Sequence, residues 1–289
     1  MPDATAQKRR HDAGVSIDAQ GMNSVRGSVQ RICAVVLRHV YLLRKSWPRV
    51  VSLVYYPTVT MVLWAFVTQH LAPTNRFLQD APGFFIGAVL LWDVLFRAQL
   101  GVSLSFFEEL YARNLGNLFV SPLRPWELIA AQLTMSVIRM LIGVGGAVLF
   151  AWLLFRYSLF DMGYALIPFT LNLLMLGWAI GLAVCALVLR WGLGAEEFAW
   201  AAAFLLAPIS GVYYPVAALP GWLQSVAHAV PTSYVFEGMR GALLQHQFDW
   251  QLFVRGALLN LIYLAAGIGL YFAAIRYARN RGALLQMGE

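Results

Sequence analysis

Long apolar runs, separated by short polar segments, dominate the chain from about residue 50 onwards. A helix needs ~20 consecutive apolar residues to cross a hydrocarbon layer of ~30 Å, and these runs have about that length. The pattern predicts six membrane-spanning helices, the fifth of them interrupted by Pro208. Their predicted bounds are 50–71, 82–106, 129–155, 164–189, 198–216 and 253–275. The predicted fold is therefore an all-α integral membrane domain over residues 47–280.

The segment before the first span has a different periodicity. In residues 24–46, apolar side chains recur at spacings of three and four, which is typical of one face of an α-helix. Arg31, Arg38 and Lys45 recur every seven residues on another face. This pattern predicts a basic amphipathic helix that lies at the membrane surface. The alternative is an ordinary surface helix packed on a cytoplasmic domain.

The composition agrees with lipid as the main solvent of the chain. The sequence is 60% hydrophobic and 12% charged, whereas soluble domains carry about 25% charged residues. The net charge of +7 does not indicate nucleic-acid binding, because no segment outside the apolar runs is long enough to form a basic domain. We expect membrane lipid, and no nucleic acid, as a partner.

The distribution of Lys and Arg predicts the orientation of the spans. With the N-terminus inside, most basic residues between the spans lie on the cytoplasmic side. The outer side then receives Arg76, Arg156, Arg240 and Arg255. Both termini are therefore predicted to be cytoplasmic, with residues 1–23 as a disordered tail and residues 281–289 as a second tail. No cleavable signal peptide is expected, since the first apolar run begins near residue 50.

The predicted cytoplasmic loop between the second and third spans is more than a connector. It reads FEELYARNLGNLFVSPLRPWELIAAQL over residues 107–133. Its first part has the spacing of an amphipathic helix, and the two prolines of residues 121–125 end that helix. Glu127 then lies near the positive end of the next helix, which Pro125 begins. We expect a short, rigidly held cytoplasmic helix that transmits force from a soluble partner.

The segment between the fifth and sixth spans, residues 207–244, is too apolar for an ordinary outer loop. Prolines at four positions disfavour a continuous helix through it. Non-helical backbone at membrane depth persists only where protein covers it or a wet cavity faces it. The pattern predicts re-entrant half-helices that form a lid over a translocation path, and the alternative is a plug that only packs. The four prolines are Pro208, Pro215, Pro220 and Pro231.

Three charged residues are predicted inside the spans. Asp93 and Arg97 are four residues apart and so share a helix face, where they either neutralise each other or line the transport path. Arg139 has no acidic neighbour on its own helix and lies about 15 Å from either end of its span at 1.5 Å per residue. Such a side chain needs a partner in the bundle or a wet cavity. Asp93 is the expected partner, which would leave Arg97 to reach the cytoplasmic interface.

Several ordered motifs resemble those of ABC-2 type transporter permeases over about residues 25–280. They are FEE at 107–109, SPLRPWEL at 121–128, GVYYP at 211–215, LPGWLQ at 219–224 and PTSYVFEGMRG at 231–241. The resemblance implies the membrane subunit of an exporter in a bacterial inner membrane, paired with a second permease copy. It also implies separate ATP-binding subunits that hold ATP and Mg, with no cofactor bound by this chain. The implied substrates are amphipathic: lipid-linked glycans, lipids or drugs.

The resemblance also implies roles for individual residues. The loop that couples to the ATPase would contain Glu108, Glu109, Arg113, Asn114, Ser121, Pro122, Arg124 and Pro125. The outer lid would contain Gly211, Tyr213, Tyr214, Pro215, Pro220, Pro231, Glu237 and Arg240.

Three other functions each require residues that this sequence does not supply in the right pattern. ATP hydrolysis by a P-loop needs a lysine after a glycine, and neither Lys8 nor Lys45 follows one. An ion-coupled carrier would need acidic residues deep in several spans, and Asp93 is the one such residue in the predicted spans. An intramembrane lipid-modifying enzyme would need a cluster of His, Asp and Glu, and Glu108 with Glu109 does not provide it. The histidines show no metal-ligand spacing, and Cys33 lies far from Cys185.

Overall fold

A computed structural model describes residues 25–71, 73, 83–245 and 247–281, all of whose regular secondary structure is helical. The predicted tail of residues 1–23 and most of the predicted tail of residues 281–289 lie outside these ranges. The α-helices are α1 (Val25–Lys45), α2 (Trp47–Leu71), α3 (Phe84–Tyr111), α4 (Leu115–Val120), α5 (Pro125–Phe155), α6 (Leu166–Trp191), α7 (Glu197–Leu206), α8 (Gly221–Ala229), α9 (Pro231–Gln245) and α10 (Trp250–Asn280). Short 3₁₀ segments cover Leu159–Ala165, Leu193–Glu196, Ala207–Ile209 and Val216–Ala218.

Five of the described helices are long and apolar enough to cross a membrane: α2, α3, α5, α6 and α10. Helix α3 is the central one, because it packs against α2, α5, α6, α7 and α9 and is buried along most of its length. The other long helices expose apolar side chains on their outer faces, as lipid-facing helices do. The prediction of an all-α membrane protein is confirmed.

The fifth predicted span, 198–216, does not form a helix of spanning length. Helix α7 has 10 residues, and at 1.5 Å per residue it rises about 15 Å. Pro208 lacks a backbone N–H, so the helix gives way to a 3₁₀ turn at Ala207–Ile209. Gly211 then adopts a left-handed φ of 73°. The run of apolar residues predicted a span here, but the backbone after Leu206 is irregular.

The two ends of the bundle are named here after residues of α3, as the Glu108 end and the Phe84 end. Asn260 of α10 contacts Asn172 of α6, and Gly267 of α10 packs on Ala179 of α6. Both helices advance by seven residues between these two contacts, so α6 and α10 run in the same direction. The chain therefore returns along the bundle between them. It leaves the Glu108 end where Glu196 accepts a hydrogen bond from Tyr111 of α3.

Glycine residues at the contacts between the long helices allow their backbones to approach closely. A Cβ atom at Gly177 of α6 would lie 2.7 Å from the carbonyl oxygen of Leu95 on α3. A Cβ atom at Gly267 of α10 would lie 2.6 Å from the carbonyl oxygen of Ala179 on α6. Backbone-to-backbone contact of this kind is common where membrane helices pack without large side chains between them. These contacts fix α3, α6 and α10 as one packed unit.

Candidate functional site

The last turn of α3 carries two adjacent carboxylates that collect cationic side chains from three other helices. Glu108 accepts a hydrogen bond of 2.8 Å from Arg139 of α5 and one of 3.1 Å from Arg49 of α2. Nδ1 of the buried His39 on α1 lies 3.0 Å from the same carboxylate. Glu108 is thus the point at which α1, α2, α3 and α5 meet.

Glu109 is almost completely buried and faces α1 and the following loop. It accepts hydrogen bonds of 2.6 Å from Arg38 and 2.7 Å from Asn114. Nε2 of His39 lies 3.3 Å from its other oxygen, so the imidazole sits between the two glutamates. A buried carboxylate is retained in a protein interior when such partners compensate for its lost hydration.

A third carboxylate, Glu127, lies after the loop in the first turn of α5. Its two oxygens accept hydrogen bonds of 2.9 and 2.6 Å from Arg31 of α1, in a bidentate arrangement. It also accepts from the backbone N–H of Arg124 at 2.9 Å, which caps the start of α5. The Glu127 carboxylate raises the pKa of Arg31.

These contacts attach α1 to both sides of the loop. Arg38 and His39 bind the carboxylates before the loop, and Arg31 binds the carboxylate after it. Much of the basic face of α1 therefore faces the bundle, and apolar side chains such as Leu37 and Tyr41 are exposed instead. The heptad spacing of Arg31 and Arg38 is visible in the sequence, but it does not indicate their partners. The contact between α1 and a membrane surface remains a prediction.

Between these attachments, the loop presents an exposed tip. Helix α3 ends at Tyr111, and Arg113 adopts a left-handed φ of 51° that redirects the chain into α4. Ser121 donates to the carbonyl of Leu118 at 2.6 Å, and the chain then turns through Pro122. Exposed side chains at the tip include both aromatic and basic groups. They are Tyr111, Arg113, Val120, Arg124 and Trp126.

The predicted pairing of Arg139 with Asp93 is wrong. Asp93 accepts a hydrogen bond of 3.1 Å from Arg97, one turn along the same helix, whereas Arg139 binds Glu108. Asp93 already has a partner four residues away, and a contact within one turn of a helix needs no further ordering of the chain. Arg139 instead meets the carboxylate at the end of α3, 31 residues away in sequence. Arg97 also packs beside Gly143 of α5 rather than reaching an end of its helix.

The Asp93–Arg97 pair borders a cavity of about 390 Å³ between α2, α3 and α7. Aromatic rings from these helices and from the segment after α7 form most of its wall. They are Tyr56, Trp92, Phe96, Trp200, Phe204 and Tyr213. A mostly apolar cavity with one polar pair has the character of a site for amphipathic molecules.

At the Phe84 end, Arg240 and Glu237 of α9 hold the segment that follows α7. Arg240 donates to the carbonyl of Gly211, forms an ion pair of 3.0 Å with Glu237, and lies over the ring of Phe84 at 5.3 Å. Glu237 accepts from the backbone N–H of Val216 at 2.8 Å. Burial lowers the pKa of Arg240, and the Glu237 carboxylate opposes this shift.

The other predicted lid residues shape the same region. The ring of Tyr213 stacks on Trp64 of α2 at 4.6 Å, and the hydroxyl of Tyr214 donates to the carbonyl of Pro208 at 2.6 Å. Pro215 precedes a 3₁₀ turn. Pro220 directly precedes α8, and Pro231 is the first residue of α9. The two short helices occur where half-helices are predicted, and their depth in a membrane stays a prediction.

Within the described ranges, no group of three or more His, Cys, Asp and Glu side chains is arranged to hold a metal ion. Cys33 is exposed and Cys185 is buried, and both are free thiols.

Comparison with known proteins identifies relatives of this chain. Residues 31–244 match the family model described as ABC-2 type transporter. The chain is similar to the Inner membrane transport permease YadH of Escherichia coli K12, with 26% identity over 200 residues that cover 65% of this chain and 74% of the relative. Proteins of the same name from Escherichia coli O157:H7 and Shigella flexneri match to the same extent.

Proposed function

Because the chain belongs to the ABC-2 type transporter family, we propose that it is the membrane subunit of an ATP-driven exporter. In this proposal it moves an amphipathic substrate across a bacterial inner membrane, with ATP and Mg bound by a separate subunit. The observation that carries the proposal is the set of ion pairs joining the loop to α1, α2 and α5. A loop attached in this way transmits displacement to several helices at once.

The proposed topology has both termini in the cytoplasm, so that the Glu108 end is the inner end. Six crossings are then made by five long helices and the irregular segment that contains α7. The parallel course of α6 and α10 supports a return crossing between them. Gly211, where that segment ends, is held by Arg240 beside Phe84.

In the proposed mechanism, the ATPase subunit docks on the exposed loop tip. Tyr111, Val120 and Trp126 provide apolar contact, and Arg113 with Arg124 provides charge. Closure of the ATPase displaces the tip, and the glutamates at its two sides carry the displacement into α3 and α5. Since α1 is bound to both sides, it moves with the loop.

The proposed path for substrate includes the cavity beside Asp93 and Arg97. Its aromatic wall suits an apolar body, and its ion pair suits a polar group. The lid is the segment held by Arg240 and Glu237, and export requires those contacts to loosen. A second permease copy completes the path in this proposal, across the exposed apolar faces of α2 and α7.

The proposal is tested by native co-purification of the tagged chain, followed by an assay of ATPase activity. The variant Val120→Asp with Trp126→Ala changes two exposed tip residues. We expect it to lose the ATPase subunit while eluting as a folded protein. The matched control is Trp222→Ala, which changes an exposed tryptophan on α8 at the other end of the bundle. If wild type purifies without an ATPase, ion-gradient-driven flux that depends on Asp93 becomes the function to measure.

A further inference from the structure

Helices α6 and α10 end beside each other at the Glu108 end of the bundle. The two candidate membrane spans that they form end at Trp191 and Asn280. The side chain of Trp191 is 64% exposed, and tryptophans at the ends of spanning helices lie at the boundary between hydrocarbon and water. These two helix ends therefore lie at the depth of the lipid headgroups, whichever leaflet the Glu108 end faces.

Two arginines, one from each helix end, share a single aromatic ring. The guanidinium carbon of Arg190 on α6 lies 5.5 Å from the ring centroid of Tyr277 on α10. That of Arg281, the residue after α10, lies 4.7 Å from the same centroid. An aromatic ring attracts a cation through its quadrupole but does not neutralise it. Two like charges are thus held near each other, which costs free energy unless an anion offsets them.

The protein itself offers these arginines little compensation of charge. Within the described part of the chain, neither guanidinium group makes an ion pair or a hydrogen bond. The acidic residue nearest to Arg190 in sequence is Glu196, and its carboxylate accepts from Tyr111 instead. Arg276, exposed near the end of α10, adds a third positive charge. The C-termini of the two helices carry a partial charge of about −0.5 each, so together they balance about one of these charges.

We propose that Arg190 and Arg281 bind the phosphodiester headgroup of an acidic phospholipid such as phosphatidylglycerol. A guanidinium group donates two parallel hydrogen bonds to phosphate oxygens, and one headgroup carries enough oxygens for both arginines. The amine-bearing headgroups of zwitterionic lipids would bring a further positive charge to the site. A bound acidic headgroup joins the ends of α6 and α10. Lipid binding of this kind is independent of the proposed export function.

The test measures lipid binding by the full chain alone, with native mass spectrometry in a mild detergent. Phosphatidylglycerol and phosphatidylcholine with the same acyl chains are titrated separately, so that only the headgroup differs. We expect wild type to bind its first molecule of phosphatidylglycerol at least about tenfold more tightly than one of phosphatidylcholine. Inorganic phosphate is the competing probe, because it carries similar oxygens without acyl chains.

The variant Arg190→Gln with Arg281→Gln removes both guanidinium groups from exposed positions and leaves polar side chains there. The matched control is Arg156→Gln with Arg255→Gln, which removes the same net charge from exposed positions at the Phe84 end. Each basic residue near an acidic membrane surface contributes about a fivefold factor in binding. We therefore expect phosphatidylglycerol to bind the test variant at least about tenfold more weakly and the control without change.

Four results would overturn the inference. The two lipids bind wild type equally, the test variant binds phosphatidylglycerol like wild type, the control loses as much affinity as the test variant, or millimolar inorganic phosphate displaces the lipid and so identifies a free-anion site. A test variant that keeps its lipid but loses the ATPase subunit on native co-purification would assign the arginines to a protein partner instead. The lipid measurement contains no ATPase, so its failure leaves the test of the proposed function intact.

Discussion

Arg139 donates to Glu108 across 2.8 Å and so joins the interior of α5 to the last turn of α3. The Arg139 side chain is 4% exposed and that of Glu108 is 16% exposed. Neither group is well hydrated, so each depends on the other for compensation of its charge. The contact places a cation of a spanning helix in the same cluster as the residues that hold the loop.

Glu108→Gln is expected to destabilise the protein, because it leaves the buried guanidinium of Arg139 without a counter-charge. A buried group that loses its partner costs roughly 1–3 kcal/mol, and more when it is charged. Thermal unfolding in detergent, measured from intrinsic fluorescence, gives the shift in Tm. The double variant Glu108→Gln with Arg139→Met should recover part of the loss, and a purely additive result would show that the two groups are not coupled.

Asp93→Asn is expected to affect Arg97 and not Arg139. In a double-mutant cycle, Asp93 and Arg97 should show a coupling energy of at least about 0.5 kcal/mol, the range for residues in contact. Asp93 and Arg139 should be additive within the error of unfolding measurements. Strong coupling between Asp93 and Arg139 would contradict the ion pairs described here.

Arg31→Met is expected to release α1 from the start of α5, because it leaves the fully buried Glu127 side chain without its bidentate partner. Hydrogen–deuterium exchange of α1 should rise, with a smaller increase around Glu127. The matched control is Arg26→Met, which changes an exposed arginine of the same helix. Equal exchange in the two variants would argue against the attachment.

Gly177→Val is expected to disrupt the packing of α6 on α3, since the added Cβ atom would lie 2.7 Å from the backbone oxygen of Leu95, which cannot move aside easily. The variant should give little monodisperse protein on size-exclusion chromatography. Gly145→Val serves as the control, because its Cβ would meet nothing within 4 Å. Similar yields from both variants would mean that α3 and α6 separate more easily than the contact implies.

Helices that coincide with a run of apolar residues can be predicted from the sequence. Ion pairs between residues far apart in the sequence cannot. The predicted run 50–71 agrees with α2 at Trp47–Leu71, because hydropathy is a local property. The partner of Arg31 is 96 residues away, and no periodicity along one helix reports such a pair. The partner of Arg139, 31 residues away on another helix, is hidden from sequence patterns for the same reason.

In the fifth predicted span, the helix is shorter than predicted for a different physical reason. Hydropathy registers the side chains of residues 198–216 but not the backbone geometry that Pro208 and Gly211 impose.

Of the candidate site, the turn predicted from the two prolines of residues 121–125 lies between α4 and α5. The amphipathic helix predicted before that turn is divided, because Arg113 adopts a left-handed φ between α3 and α4. The attachment of the loop 107–133 to α1 through Glu109 and Glu127 required the structure.

The short α7 has a consequence for the lipid around the protein. A helix that rises about 15 Å covers only half of a ~30 Å hydrocarbon layer, so hydrophobic mismatch arises wherever α7 borders lipid beside the proposed second permease copy. Lipids with shorter acyl chains reduce that mismatch. The thickness of the bilayer should therefore affect the activity of this protein. Activity in reconstituted vesicles should change as the lipid acyl chains lengthen, even though no protein residue is changed.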